Sequence, residues 1–283
     1  MEYETLKGVH IVAKTILVIF GDTQIGSSTA LAPPTFTIHN RNTLEEQIVS
    51  YNRLQKWLWG NWVDLWDYVK FLAYEGHKRR KHRLVVMHVG DVIDGNHHGT
   101  LQIIQDVADQ AQVAIDILTP VVDMCDDFFG IIGTEAHAGQ SGSNEVDIYK
   151  ALGARDYGQN LMLEVDGKLH DFAHHGRTGS RPWTSAAASI GVEVMLDCGR
   201  AGLPYPDYIW RAHKHNIDDS GNKLEGTRVI CLPSWQLKTS WTYSVVANRV
   251  RSDIGAYIVN GGLIDESRSR YKGQPDDRRI IKL

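Results

Sequence analysis

Five short stretches of the chain carry side chains that bind cations or move protons. They are GDTQ at 21–24, GDVID at 90–94, GTEAH at 133–137, AHH at 173–175 and AHKH at 212–215. The residues concerned are Asp22 and Gln24; Asp91 and Asp94; Thr134, Glu135 and His137; His174 and His175; and His213 and His215. Carboxylates mixed with neutral imidazoles suit manganese, iron or zinc and not calcium. The donors outnumber the needs of one ion, which points to two cations sharing a carboxylate, roughly 3.5–4 Å apart. Singly, each motif has a plain structural explanation. An aspartate after a strand caps the next helix, and two histidines at i and i+2 are ordinary surface residues. The order of the whole set is what chance does not supply.

Each motif follows an apolar run. Residues 15–20, 84–89, 128–132, 169–173 and 208–211 read as strands. Strands that run the same way bring their carboxyl ends to one rim of a sheet, so motifs far apart in sequence converge in space. A helical pattern over 44–75 places Trp59, Trp62 and Trp66 on one face, for packing against the sheet. The basic run 77–83 ends that helix as a solvated cap. A second helical stretch, 101–124, contains Pro120, which should bend or break it. Further helices are expected over 144–152 and 184–198. Asp166-Gly167 marks a hairpin between 161–165 and 169–173. A second hairpin turns at 220–222 and returns through 228–232, and late strands fall at 256–259 and 279–283. Alternation of strand and helix early, hairpins late and no break in composition predict one α/β domain over 1–283.

The composition is ordinary for a globular chain: 283 residues, 42% hydrophobic and 23% charged. The formal net charge of −4 supplies neither a strongly basic field for nucleic acid nor an acidic tail. Cys125, Cys198 and Cys231 are odd in number and widely spaced, which excludes a disulfide framework and a zinc ribbon and suits a reducing compartment. The acidic, polar start is unlike a signal peptide, and no apolar run approaches a membrane span. The expectation is a cytoplasmic protein with no membrane partner.

In their order, these motifs resemble the calcineurin-like metallophosphoesterase superfamily. Its pattern is DxH, GDxxD, GNH followed by Asp or Glu, a lone His, and GHxH. The resemblance spans residues 21–216, with GDVID and AHKH its most specific parts. It implies a four-layer α/β/β/α sandwich of two mixed β-sheets flanked by helices. It also implies a dinuclear-metal phosphoester hydrolase in which a metal-bridged hydroxide attacks phosphorus and His137 acts as general acid. Carried over residue by residue, Asp22 is a ligand of the first metal and Gln24 stands where the family has His. Asp91 bridges both metals, and Asp94 holds the catalytic His137. His174 matches the lone histidine, with His175 its rival by one residue of register. His213 and His215 go one to each metal. GTEAH departs from GNH; its turn is longer by two residues, and Thr134 or Glu135 supplies the oxygen of the family Asn, Glu135 being taken as the ligand.

Two divalent transition-metal ions are expected, manganese first, iron or zinc as alternatives. Arg177 and Arg181 in RTGSR can grip a phosphate in bidentate fashion. The expected substrate is a small phosphodiester or phosphomonoester. One alternative is a DNA-repair-type nuclease. Its groove would be made of the basic segments 78–83, Arg249 with Arg251 and Arg268 with Arg270, and Trp235 and Trp241 would stack bases. Another is a catalytically weakened scaffold of the same fold, suggested by Gln24 and GTEAH. The sequence leaves substrate identity and oligomeric state open.

Overall fold

The computed structural model describes residues 13–39, 43, 45–97, 99, 101–176, 186–221, 224–240, 242 and 251–275. Strand β1 (Thr15–Phe20) is TILVIF, six residues that are all buried. A strand buried on both faces has no polar side, hence the unbroken apolar run. Ile16, Val18 and Phe20 face one apolar cluster, and Leu17 and Ile19 face another. A hairpin of β2 (Thr35–His39) and β3 (Glu46–Ser50) follows. Helix α1 (Arg53–Tyr74) then opens on a capping box, in which the Asn52 side chain accepts from Leu54 and Gln55 and the Gln55 side chain accepts from Asn52 N–H. The helical pattern expected from residue 44 therefore starts nine residues late. Residues 46–50 pair as a strand because Asn52 stops the helix from growing backwards.

Strand β4 (Arg83–His88) comes next, then α2 (Val107–Met124), β5 (Asp127–Ile131), the single turn α3 (Glu135–Ala138) and α4 (Ser143–Ala151). Helix α2 starts six residues later than its pattern suggested, at the Asp106 cap, and runs through Pro120 without breaking. The second half holds β6 (Asp156–Gly158), β7 (Asn160–Val165), β8 (Lys168–Ala173), α5 (Ala186–Ala201), β9 (Tyr208–Arg211), β10 (Asp218–Asp219), β11 (Arg228–Cys231), β12 (Tyr257–Asn260) and β13 (Leu263–Asp265). The β7–β8 turn has Asp166 and Gly167 at φ of 50° and 73°, as an Asp-Gly hairpin requires. The strand expected at 279–283 lies outside the described residues, as do Arg177, Arg181, Trp241 and Arg249.

One sheet has the order β13-β12-β1-β4-β5-β6 and the other β10-β11-β9-β8-β7. Both are mixed: β1, β4, β5 and β6 are parallel, as are β8, β9 and β11, whereas β12, β13, β10 and β7 pair antiparallel. Leu17, Val85, Met87 and Phe129 of the first sheet pack with Phe172, Trp210 and Ile230 of the second. Outside the first sheet, Leu58, Leu65 and Val69 of α1 and Val113 and Ile117 of α2 cover Val18, Leu84 and Val86. Outside the second, Ala187 and Ile190 of α5 cover Ile209 and Val229. The architecture is thus the four-layer α/β/β/α sandwich that the resemblance implies. Trp62 and Trp66 serve the core, edge-on to Phe20 at 5.3 and 5.8 Å. No helix among the described residues is long and apolar enough to cross a membrane.

Candidate metal centre

The parallel register sets Phe20 beside His88 and His88 beside Gly130, so the loops after β1, β4 and β5 leave the first sheet side by side. In the second sheet Ala173 pairs with Arg211, which aligns the exits to His174 and His213. Beyond the strands the backbone ladder continues. Asp22 N–H donates to the Gly90 carbonyl at 2.9 Å, Gln24 N–H to that of Asp91 at 3.1 Å, and Ile25 N–H to that of Val92 at 3.0 Å. The loops carrying Asp22, Gln24 and Asp91 are therefore one zipped unit.

Asp91 is the hub. Its Oδ2 lies 3.1 Å from His174 Nε2, 3.2 Å from Gln24 Nε2, 3.3 Å from Thr134 Oγ1 and 3.7 Å from His137 Nε2. Its Oδ1 accepts from Thr134 N–H at 2.6 Å. Asp22 Oδ1 lies 3.4 Å from His215 Nε2 and 3.9 Å from His174 Nε2. Thr134 Oγ1 is also 3.2 Å from His213 Nδ1 and 3.3 Å from His174 Nε2. Asp22, Asp91 and His174 thus form one group with metal-ligand spacing, and His174, His175 and His213 form another that shares His174.

Three further features mark this as a place for cations. Asp22 Oδ1 and Gln24 Oε1 are buried without a hydrogen-bond partner, a costly arrangement unless something else satisfies them. Asp22, Gln24, Asp91, His213 and His215 all have φ between 48° and 72°. Such strain in non-glycine residues persists where the surrounding structure imposes it, and it gathers at functional sites. Charge points the same way. Burial opposes ionisation of Asp22 and Asp91, but His215 and His174 beside Asp22, and His174 beside Asp91, hold both carboxyls below their usual range. Burial alone would lower His174, yet Asp91 and Asp22 raise it to about 10. His174 thus stands between two carboxylates that favour positive charge, and this donor set of buried carboxylates and imidazoles fits the divalent metals the resemblance implies.

The remaining predicted residues fall out unequally. His137 donates from Nδ1 to the Asp94 carbonyl at 2.6 Å, which leaves Nε2 facing Asp91. His137 is thus held by the main chain of Asp94. The Asp94 carboxylate, expected to do this, instead accepts from Gln102 Nε2 at 2.9 Å and Gln236 Nε2 at 3.2 Å. Of Thr134 and Glu135, Thr134 is the one whose oxygen lies beside Asp91, His174 and His213. Glu135 starts α3 with an exposed side chain, because the extra residues of the loop coil into that turn. Of the alternatives at 174–175, His174 is the one beside both carboxylates, its Nδ1 fixed by the Val89 carbonyl at 2.7 Å. Gly133 has no substitute, since a Cβ there would collide with Asp91 Oδ1.

Sequence reasoning missed Glu145. This buried carboxylate in the first turn of α4 accepts from Val92 N–H at 2.7 Å and Gly133 N–H at 2.5 Å, one from each ligand-bearing loop. Burial, then the charge of Asp91, pushes its carboxyl up to about 7. Its only signal in sequence is an acid opening a helix, which reads as a dipole partner. His88, hidden in a strand, was also missed. It lies 3.1 Å from Thr23 Oγ1 and 3.2 Å from the Tyr149 hydroxyl, and burial lowers it to about 3.

No protein-family model matches the chain, and no curated protein matches it. Solved structures do. A novel archaeal phosphodiesterase is 9% identical, with a TM-score of 0.40, over 86% of this chain and 92% of that one. The hypothetical protein PH1004 from Pyrococcus horikoshii is 10% identical, with a TM-score of 0.45, over 89% and 86%. Vps29 from Entamoeba histolytica, complexed with zinc, is 12% identical, with a TM-score of 0.30, over 64% and 95%. These likenesses lie at the level of the fold, and the chemistry rests on the residues just described.

Proposed function

We propose that the chain is a metal-dependent phosphoester hydrolase with a two-cation centre. The observation that carries this reading is Asp91, whose Oδ2 stands within 3.1–3.7 Å of His174, Gln24, Thr134 and His137. Asp22, Gln24, Asp91 and His215 would hold one cation, and Asp91, Thr134, His174 and His213 the other. Divalent ions held there supply Lewis acidity towards a phosphoryl oxygen and towards water. The chain's own residues do the rest. His137 has Nδ1 committed to a carbonyl that only accepts, so Nε2 is the atom that takes up and releases a proton, on the side facing Asp91. Gln102 and Gln236 fix Asp94, and Asp94 fixes His137. Glu145 fixes the spacing between the Asp91 and Thr134 loops.

The proposed substrate is a phosphodiester or phosphomonoester of modest size. The nuclease reading finds little support among the described residues. Arg80 and Arg83 pair with Asp126 and Asp127, Arg268 with Asp64 at 2.9 Å and Arg270 with Asp253 at 2.9 Å. Arg83 opens β4, and the candidate site follows the other end of that strand. Trp235 is buried against Trp62, ring centroids 5.0 Å apart, and is closed to a base. The scaffold reading does not account for five strained residues kept at one spot. The test is hydrolysis of aryl phosphomono- and diesters with added manganese, iron or zinc, beside metal analysis of the protein. Asp91→Asn should lose both ions and reduce turnover to background. Full metal content and turnover in that variant would refute the reading.

A further inference from the structure

His175 has no counterpart in the motif pattern, yet its ring packs edge-on against two of the proposed ligands. The centroids lie 4.9 Å from His174 and 4.6 Å from His213. One nitrogen from each of the three rings falls within 4.8 Å of the others. His174 Nδ1 is committed to the Val89 carbonyl, so Nε2 is the atom it offers. His175 and His213 are exposed at the mouth of the site, whereas Asp22, Gln24 and Asp91 are buried at its floor. Thr134 meanwhile offers only a neutral hydroxyl, already shared among Asp91, His174 and His213.

We propose that His175 is a ligand of the outer cation, making good the missing amide, and that the two positions differ in metal chemistry. The inference rests on the two-cation reading above. The inner position has Asp22, Asp91, the Gln24 carbonyl oxygen and one imidazole, an oxygen-rich set that suits a hard ion such as manganese. The outer position has His174, His175 and His213, with Asp91 beside His174 at 3.1 Å, a nitrogen-rich set that suits zinc. One shared carboxylate then joins unlike sites, and zinc distinguishes them more strongly than manganese does.

The experiment is metal binding by the full-length apo protein, with zinc and manganese titrated separately and bound metal counted per chain. Cobalt absorption serves as a second readout of nitrogen ligation. The wild type should bind two zinc ions. His175→Ala should weaken one of them by at least the roughly 10–100-fold that loss of an outer partner costs elsewhere. It should leave manganese binding at the other position unchanged and lower the cobalt absorption. His175→Gln serves the same purpose should the alanine variant fold poorly, and thermal melting of the apo forms verifies folding. Thr134→Ala should weaken zinc less than His175→Ala does. Two zinc ions bound by His175→Ala with wild-type affinity would overturn this assignment and leave the hydrolase reading standing. A wild type that binds no divalent ion would overturn both.

Discussion

The two rims of the sandwich differ in how their charges are settled. At the rim of the strand carboxyl ends, buried oxygens of Asp22 and Gln24 lack partners and five non-glycine residues hold positive φ. At the opposite rim, where β1, β4 and β5 begin, carboxylates meet their partners. Asp127 takes both Arg83 and Arg155, and Asp166 caps Thr15 through its N–H and hydroxyl at 2.9 Å each. That rim also contains a cavity of about 470 Å³, lined by Arg83 and Arg155 with Asp156, Glu164 and Asp166, larger than anything its chemistry asks for. Carboxylates at one end are met by cations and main-chain donors of the fold itself, whereas those at the other end stand among imidazoles with room for a ligand to complete them.

The largest expected effect comes from removing the proposed proton carrier at the rim of the strand carboxyl ends. His137→Ala should lower kcat by roughly 10²–10⁴-fold and leave metal content intact. Loss of metal along with rate would show that His137 is a ligand and would redraw the site.

Acid tests the same contrast through stability. Burial lowers His88 to about 3 and His170 to about 4, against 6.5 for an open histidine. Below pH 6.5 the unfolded chain binds protons that these two rings refuse. Each therefore removes up to about 1.4 kcal/mol per pH unit on acidification. Glu145, raised to about 7, works in the opposite sense from pH 7 down to its unfolded value of 4.5. Two imidazoles outweigh one carboxyl, so urea midpoints of the apo protein should fall between pH 6.5 and 4.5. Glu145→Gln should steepen that fall. A midpoint that stays level or rises over this range would contradict the burial of the two rings.

Gln24→His places an imidazole at the proposed inner position, and half-maximal activity should need roughly tenfold less added metal. An unchanged requirement would mean that Gln24 acts only as a donor to Asp91. The smallest effect belongs to the satisfied rim. Arg155→Ala removes an ion pair whose arginine is largely exposed, and Arg83 stays on Asp127, so it should cost about 1 kcal/mol of stability, with turnover unchanged. A drop in turnover would mean that the cavity beneath Arg155 communicates with the metal centre.

What could be read from the sequence was whatever has a short period or a fixed order. The strands before each motif, the Asp-Gly hairpin and the sequence of motifs along the rim all emerge from local pattern. The hairpin at 35–50 was hidden because five residues of mixed polarity look like the start of the helix that follows them. Pro120 does not break α2 because packing of the helix on the sheet outweighs a local defect. The exposure of Glu135 was not legible, because the extra residues of its loop coil into a turn that points the side chain outward. Glu145 and His88 act through backbone groups distant in sequence, and no motif records that kind of contact.

The Glu145 clamp has a consequence for how such a loop can evolve. Glu145 stands twelve residues beyond Gly133 and is tied to it directly, so the excursion between them is closed at its neck. Adding a few residues to a closed loop costs little, because the entropy of closure grows only with the logarithm of its length. The excursion can lengthen, acquire the turn that carries His137 and be rewritten in composition while Thr134 stays where it is. GTEAH, the motif that departs furthest from the pattern it resembles, is thus held at its base by a side chain outside it.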